Sequence, residues 1–198
     1  MHPKNNALII FARKPELGKV KTRLAASIGD KNALKIYQQL LNHTKAIAGD
    51  AAAETHVFLT AFTDDTFWED FENHLQEGDS LGDKMLHAFT TLFKLGYQHC
   101  VIIGSDCPSL THEIVNDAFA ALNHNDIVIG PAADGGYYLL GMNTLHTTIF
   151  ENKQWSTNTV CSDTIEDAQL HQLTYFLLPT LNDVDEVTDV PATWLAAL

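Results

Sequence analysis

Apolar residues along this chain fall into short uniform blocks separated by longer stretches of helical spacing. Ala7, Leu8, Ile9, Ile10, Phe11 and Ala12 form one such block, as a strand covered on both faces requires. Residues 31–48 carry Leu34, Tyr37, Leu40, Leu41 and Ile47 at helical intervals, and Asp30 stands where a cap belongs. The same pattern predicts a strand over 55–62 and a helix over 64–75, the latter from the spacing of Phe67, Trp68, Phe71 and Leu75. A helix over 81–95 ends at Gly96, a buried strand covers 100–104, and Thr111 caps a helix that runs to 122. Strands follow over 126–130 and 137–141, then a helix over 159–170, a strand over 173–178 and a short helix after Glu186. Apolar strands alternating with amphipathic helices build βαβ units and a mainly parallel sheet. Ligands of such sheets bind at the carboxyl ends of the strands, so the residues just after strands carry the chemistry.

The 198 residues show no repeat, low-complexity stretch or linker, so one domain spanning 1–198 is expected. The run from Ala7 is too short for a signal segment or a membrane span, and no later run is long enough. The expectation is a cytoplasmic protein with no membrane partner. Three cysteines without paired spacing read as free thiols, and ten scattered histidines signal neither zinc nor haem. A formal net charge of −13 argues against nucleic acid as a partner. The cations are unevenly spread, however: nine of the twelve Lys and Arg lie in the first fifty residues. Arg13, Lys14, Lys19, Lys21 and Arg23 share one stretch with a single acid, Glu16, which points to a small anionic ligand.

Five segments carry candidate chemistry. The first leaves the opening strand through Pro15 and Gly18 and delivers Arg13, Lys14, Lys21, Thr22 and Arg23, a set suited to phosphates. It is neither a Walker A loop nor a Rossmann glycine fingerprint; the competing reading is a solvated basic loop. The second is Gly104-Ser-Asp-Cys-Pro-Ser109. Asp106 at a strand end can hold Mg²⁺ or Mn²⁺ on a nucleotide's phosphates, or Asp106 or Ser109 caps the next helix. In the third, Asp134, Gly135 and Gly136 form either an acceptor site or a hairpin turn. In the fourth, Ser156 and Thr157 grip an acceptor or cap a helix. In the fifth, Asp183 and Asp185 complete a metal site with Asp106 or lie in a solvated acidic loop. A further stretch, 76–85, enters a helix at Gly82, which either lets a nucleobase or ribose lie against the backbone or belongs to a helix start capped by Asp79 or Ser80.

Six segments in order, from Phe11-Ala-Arg-Lys-Pro with Gly18-Lys-Val-Lys-Thr-Arg-Leu24, through Leu81-Gly-Asp-Lys-Met85, Ile103-Gly-Ser-Asp-Cys-Pro108, Gly130-Pro-Ala-Ala-Asp-Gly-Gly-Tyr-Tyr138 and Trp155-Ser-Thr157, to Asp183-Val-Asp185, resemble the DUF2064 family of glycosyltransferase-A-like proteins. That family is kin to 2-phospho-lactate guanylyltransferase and, more distantly, to molybdenum-cofactor guanylyltransferase. The resemblance implies a Rossmann-like three-layer α/β sandwich with a mainly parallel mixed sheet, the nucleotide-diphospho-sugar transferase fold. It implies that Asp106 matches the metal-holding aspartate, with Asp183 or Asp185 as second carboxylate, and that Lys14, Lys21 and Arg23 face the phosphates. The tail reads Asp183-Val-Asp-Glu-Val-Thr-Asp-Val190 and departs from the family's usual Asp-x-Asp-Thr-x-x-Asp-Leu.

The expected activity is that of a metal-dependent, nucleotide-using transferase acting on an NTP or NDP-sugar and a small acceptor, with Asp106, Lys21 and Arg23 as its catalytic groups. The leading version is nucleotidyl transfer to an anionic acceptor with release of pyrophosphate. Glycosyl transfer from an NDP-sugar is the alternative, and a non-catalytic nucleotide sensor is an alternative of another class.

Overall fold

The computed structural model describes residues 4–62 and 66–198. Its seven strands are β1 (Lys4–Ala12), β2 (Glu54–Leu59), β3 (Glu72–Leu75), β4 (Tyr97–Ile103), β5 (Ile127–Pro131), β6 (Tyr137–Met142) and β7 (Tyr175–Leu177). Six α-helices connect or follow them: α1 (Thr22–Ile28), α2 (Asp30–Asp50), α3 (Leu81–Lys94), α4 (His112–Ala121), α5 (Val160–Leu170) and α6 (Ala192–Leu195).

The strands form one sheet in the order β3-β2-β1-β4-β6-β5-β7. All neighbours are parallel except β6, which runs antiparallel to both β4 and β5. The exception is local in origin: only a tight turn separates β5 from β6, too short for the crossover that a parallel strand needs. The mixed, mainly parallel sheet expected from the sequence is therefore present.

Period-two alternation in β1 shows how the layers arise. Leu8 and Ile10 pack with Leu24, Ile36, Leu40, Val115 and Phe119 from α1, α2 and α4. Ala7 and Ile9 pack on the opposite face with Phe89, Leu92 and Ala168 from α3 and α5. All four of these β1 residues are fully buried, each large side chain contributing roughly 1.5–3 kcal/mol. A strand covered by helices on both faces explains the uniform apolar run. Among the described residues no helix is long and apolar enough to cross a membrane.

Strand β1 pairs with β2 on one side and β4 on the other. The chain progresses outward from β1 to β3, then returns to begin again at β4. The loops after β1 and β4 thus diverge from adjacent strands, leaving a crevice at their carboxyl ends.

Several local expectations are corrected. The helix predicted over 64–75 is a turn at Phe67–Asp70 followed by the edge strand β3; its residues 64 and 65 lie outside the described part. The side-chain amide of Asn73 donates to the carbonyls of Trp68 and Phe71, holding the turn, while pairing with β2 overrides the helical spacing. Asp30 lies inside α2; Gly29, at φ 80°, ends α1 and opens α2, so the sharp corner between them falls on a residue without a side-chain penalty. Helix α1, beginning at Thr22 among the loop's cations, is an element that the apolar periodicity does not mark. Strand β2 stops at Leu59, and β7 is confined to three residues. The short helix expected after Glu186 is α6, preceded by one 3₁₀ turn at Val187–Asp189.

Candidate functional site

The loop leaving β1 is anchored by a residue that the helical pattern showed only as apolar. Tyr37, on α2, donates its hydroxyl to the carbonyl of Arg13 at 3.0 Å and accepts from the Arg13 amide at 2.9 Å. The same oxygen lies 3.5 Å from Ser105 Oγ, so one phenol ties the exits of β1 and β4 together. Burial, the largest influence on it, raises the Tyr37 pKa and keeps the hydroxyl protonated.

Beyond this clamp the loop turns through Gly18 and reaches Lys21, which takes left-handed backbone geometry at φ 48°. Its ammonium is carried to Asp106 at 2.9 Å, and to Asp185 at 3.9 Å. Two residues on, Arg23 Nη1 lies 3.2 Å from Asp185 Oδ2. Lys21 is only 8% exposed and Arg23 76%, so the lysine is a fixed internal charge and the arginine an exposed one at the rim. The cations after β1 and the carboxylate after β4 thus meet across the crevice that the strand order creates.

Asp106 does not cap a helix, and neither does Ser109: Thr111 caps α4, its hydroxyl accepting from the Ile114 amide. The carbonyl of Asp106 instead accepts from the Val184 amide at 2.9 Å, which docks the C-terminal acidic loop beside β4. A second device shapes that loop. The Asp189 carboxylate accepts from the backbone of Asp185 and Glu186 and from the Asn182 side chain. Burial pushes the Asp189 carboxyl up, but these donors outweigh it and hold it below the usual range. The departing tail sequence therefore supplies its own internal brace, with Asp183 and Asp185 left to face the cleft.

That cleft has a volume of about 480 Å³, and Arg23, Asp106, Asp134, Gly136, Ser156, Thr157, Asp183 and Asp185 are all in its lining. Among the carboxyl groups lining it, Asp183 is strongly perturbed. Burial, then the charge of Asp106, pushes its carboxyl up to about 7; Lys21 pulls the other way and Asp134 adds to the rise. Its Oδ1 is buried without a hydrogen-bond partner. Four carboxyl groups here, those of Asp106, Asp134, Asp183 and Asp185, face the cations Lys21 and Arg23. An orphaned buried oxygen within an excess of carboxylate oxygens fits a hard divalent cation such as Mg²⁺ or Mn²⁺. Asp106, Asp183 and Asp185 are the residues able to hold it.

Cys107 follows Asp106 and is absent from the lining of the cleft, but its thiol is a hydrogen-bond partner that lowers the Asp183 carboxyl slightly against the larger effect of burial. Burial above all pushes its thiol up to about 12, and it points at the Asn182 carbonyl. All three cysteines are free, as their spacing implied.

The structure does not bring every expected residue to this place. Arg13 and Lys14 line a second cleft of about 420 Å³ with Gln38, Phe67 and Trp68. Lys14 and Lys19 both pair with Glu16, at 3.4 and 2.9 Å. Thr22 is exposed on the first turn of α1 and is absent from the lining of either cleft. Gly82 is a correction to the base or ribose reading: a side chain there would lie 2.3 Å from the Trp155 indole, so an aromatic ring of the protein itself occupies that face. The helix start beside it is capped by Ser80 and Asp83, each bonding the other's backbone amide. Gly135, at φ 90°, would press a side chain to within 2.0 Å of the Asn158 carbonyl oxygen. It shapes a hairpin loop in which Asp134 accepts from the Gly136 amide at 2.9 Å, so the hairpin and the cleft reading hold together for Asp134. Ser156 and Thr157 precede α5 without capping it; Thr159 occupies that position. Trp155, Asn158 and Tyr137, absent from the sequence-based set, also line the cleft. Trp155 and Tyr137 read equally well as core aromatics, and nothing in their spacing separates the two roles.

Residues 40–157 match the DUF2064 family, described as uncharacterized proteins conserved in bacteria. Among solved structures, a candidate nucleotide-diphospho-sugar transferase from Desulfovibrio desulfuricans G20 is 32% identical, with a TM-score of 0.87 over 92% of this chain and 83% of that one. A 4-diphosphocytidyl-2C-methyl-D-erythritol synthase from Anaerococcus prevotii DSM 20548 is 11% identical at a TM-score of 0.61, over 98% and 96%. A Mycobacterium tuberculosis H37Rv protein in complex with manganese is 13% identical at 0.57, over 94% and 96%. These last two share the fold. A search of curated proteins finds no significant match. With the fold, the order of its motifs and the matched residues in agreement, the chain belongs to the DUF2064 family, on the nucleotide-diphospho-sugar transferase fold.

Proposed function

We propose that this protein is a metal-dependent transferase that draws on a nucleotide, and that it transfers the nucleotidyl group to a small acceptor with release of pyrophosphate. The observation that carries this reading is the meeting of Lys21 and Arg23 with Asp106 and Asp185 across one cleft. The relatives' names support the coarser part, a nucleotide-using transferase: the 32%-identical protein is named for nucleotide-diphospho-sugar transfer, and the fold is shared by a protein named as a 4-diphosphocytidyl-2C-methyl-D-erythritol synthase.

The chemistry needs little beyond placement. An ionised oxygen of an anionic acceptor attacks the α-phosphorus, the bond from that phosphorus to the bridging oxygen breaks, and pyrophosphate leaves with the electron pair. A divalent cation on Asp106 with Asp183 or Asp185 supplies Lewis-acid neutralisation of phosphate charge. Lys21, held almost out of solvent, offers its ammonium to the phosphates where screening is weak. Arg23 closes on the leaving group from the rim with its forked donors. Asp134, Ser156 and Thr157 also line the cleft and orient the acceptor.

Glycosyl transfer from an NDP-sugar is favoured by the name of the 32%-identical relative. Against it, the residue two after Asp106 is Pro108, so the paired acids of many sugar transferases are absent. Purified protein incubated with each NTP and with common NDP-sugars, plus Mn²⁺ and an acceptor panel, separates the readings. Pyrophosphate release supports nucleotidyl transfer, and NDP release replaces it with glycosyl transfer. Binding without turnover of either donor leaves a sensor.

A further inference from the structure

The edge of the sheet farthest from β7 carries a cluster that the cleft does not use. His56 on β2 faces Glu72 and His74 on β3, with its Nδ1 3.0 Å from His74 Nε2 and 3.5 Å from Glu72 Oε2. None of the three lines the cleft around Asp106. We propose that His56, Glu72 and His74 form a binding site for a borderline transition metal of the Zn²⁺ class, separate from the carboxylate site of the transferase.

Hydrogen bonding on the far side of His56 orients it for this role. The Tyr97 hydroxyl donates to the Glu54 carboxylate, which can only accept. The Tyr97 oxygen must then accept from His56 Nε2, 2.8 Å away. The proton of neutral His56 sits on Nε2, and the lone pair of Nδ1 is turned toward Glu72 and His74. A carboxylate–tyrosine–histidine chain of this kind sets the tautomer of a metal-ligating imidazole from behind. His74 is set too, by stacking on Phe58 with ring centres 4.7 Å apart.

The spacing is that of a coordination shell. A tetrahedral site with bonds of 2.0–2.1 Å places its donors about 3.3 Å apart. The two distances from His56 Nδ1 bracket that value, and all three donor atoms lie within 4.8 Å of one another. With His56 Nε2 donating to Tyr97, it is His74 Nε2–H that donates to His56 Nδ1. Metal binding replaces this hydrogen bond, and the proton of His74 passes to Nδ1 with no net release. Two imidazoles and one carboxylate suit Zn²⁺, Co²⁺ or Ni²⁺, whereas the all-carboxylate cleft suits Mg²⁺ or Mn²⁺. Glu72 is 69% exposed on an edge strand, so the metal has an open approach and keeps a position for water. Bound there, it would clip the four-residue strand β3 to β2.

The test is titration of chelator-treated full-length protein with Co²⁺, read by its visible d–d absorption, and with Zn²⁺ by calorimetry. One tight equivalent is expected, with the band of a nitrogen-containing site. His74→Gln abolishes the band, and Glu72→Gln, at an exposed position that leaves the packing intact, weakens Co²⁺ at least tenfold. Tyr97→Phe weakens it about 10- to 100-fold through the lost orientation of His56. The double variant Asp106→Asn with Asp183→Asn keeps the band, so the outcome is independent of the transferase reading. A wild-type protein that takes up neither ion overturns the proposal. So does a Co²⁺ band that survives both His74→Gln and Glu72→Gln, or one lost only in the double aspartate variant.

Discussion

Replacing Asp183 by Asn removes one negative charge from a place where the fold can hardly tolerate it. Asp183 ionises near 7 in the folded protein against an ordinary 3.8. The folded state therefore keeps a proton between those values that the unfolded state has released, and stability falls as pH rises from about 4 to 7. At about 1.4 kcal/mol per pH unit the penalty approaches roughly 4 kcal/mol above pH 7. Since the residue is half-buried, solvent screening trims this to roughly 2–4 kcal/mol. Asn mimics the protonated acid and is spared the penalty. In chelator at pH 8 the variant should unfold roughly 5–15 °C above wild type, by thermal melts followed with circular dichroism. The gap should shrink to less than about half by pH 5. Added Mn²⁺ should raise the wild-type melt at pH 8 and leave the variant nearly unmoved, because the cation relieves the same charge. A gap that does not change with pH, a variant less stable at pH 8, or an equal response to Mn²⁺ would each refute the reasoning.

Two other substitutions probe the loop and the hairpin. Lys21→Met removes a charge-assisted hydrogen bond of about 1.5–3 kcal/mol, so nucleoside triphosphates should bind roughly 10- to 150-fold more weakly in calorimetry, while nucleosides are unaffected; equal weakening of both would make the loop structural. Gly135→Ala forces a side chain against the Asn158 carbonyl oxygen in left-handed geometry and should cost roughly 2–4 kcal/mol in urea denaturation; a change under about 0.5 kcal/mol would show that the hairpin yields freely.

The pattern of apolar blocks was enough to specify an α/β fold and six of the seven strands, because a parallel strand covered on both faces leaves an uninterrupted apolar signature. Asp106, from its place just after a strand, and Lys21 and Arg23, from a cationic loop in an acidic chain, stood out as candidates, and the structure brings their charges together. Residues 67–75 were misread, since Phe67, Trp68 and Phe71 obey helical spacing while β2 offers an unsatisfied edge that outweighs it. Tyr37 gave no sign of its clamp, because a buried aromatic on a helix looks the same whether or not its hydroxyl has partners. Gly82 and Gly135 announced a close approach without saying to what; Trp155 and Asn158 answer from elsewhere in the chain.

Sequence alone determined the layers, the parallel bias and the positions where chemistry belongs, since these follow from local periodicity and from what a strand end can carry. Only the tertiary structure decided which charges meet. Lys21 joins Asp106 across 85 positions, while Lys14, seven residues earlier, faces another cleft. Two histidines from an edge pair that the periodicity concealed come within 3.0 Å of each other. Electrostatic energy depends on separation in space, and chain order constrains that separation only within an element.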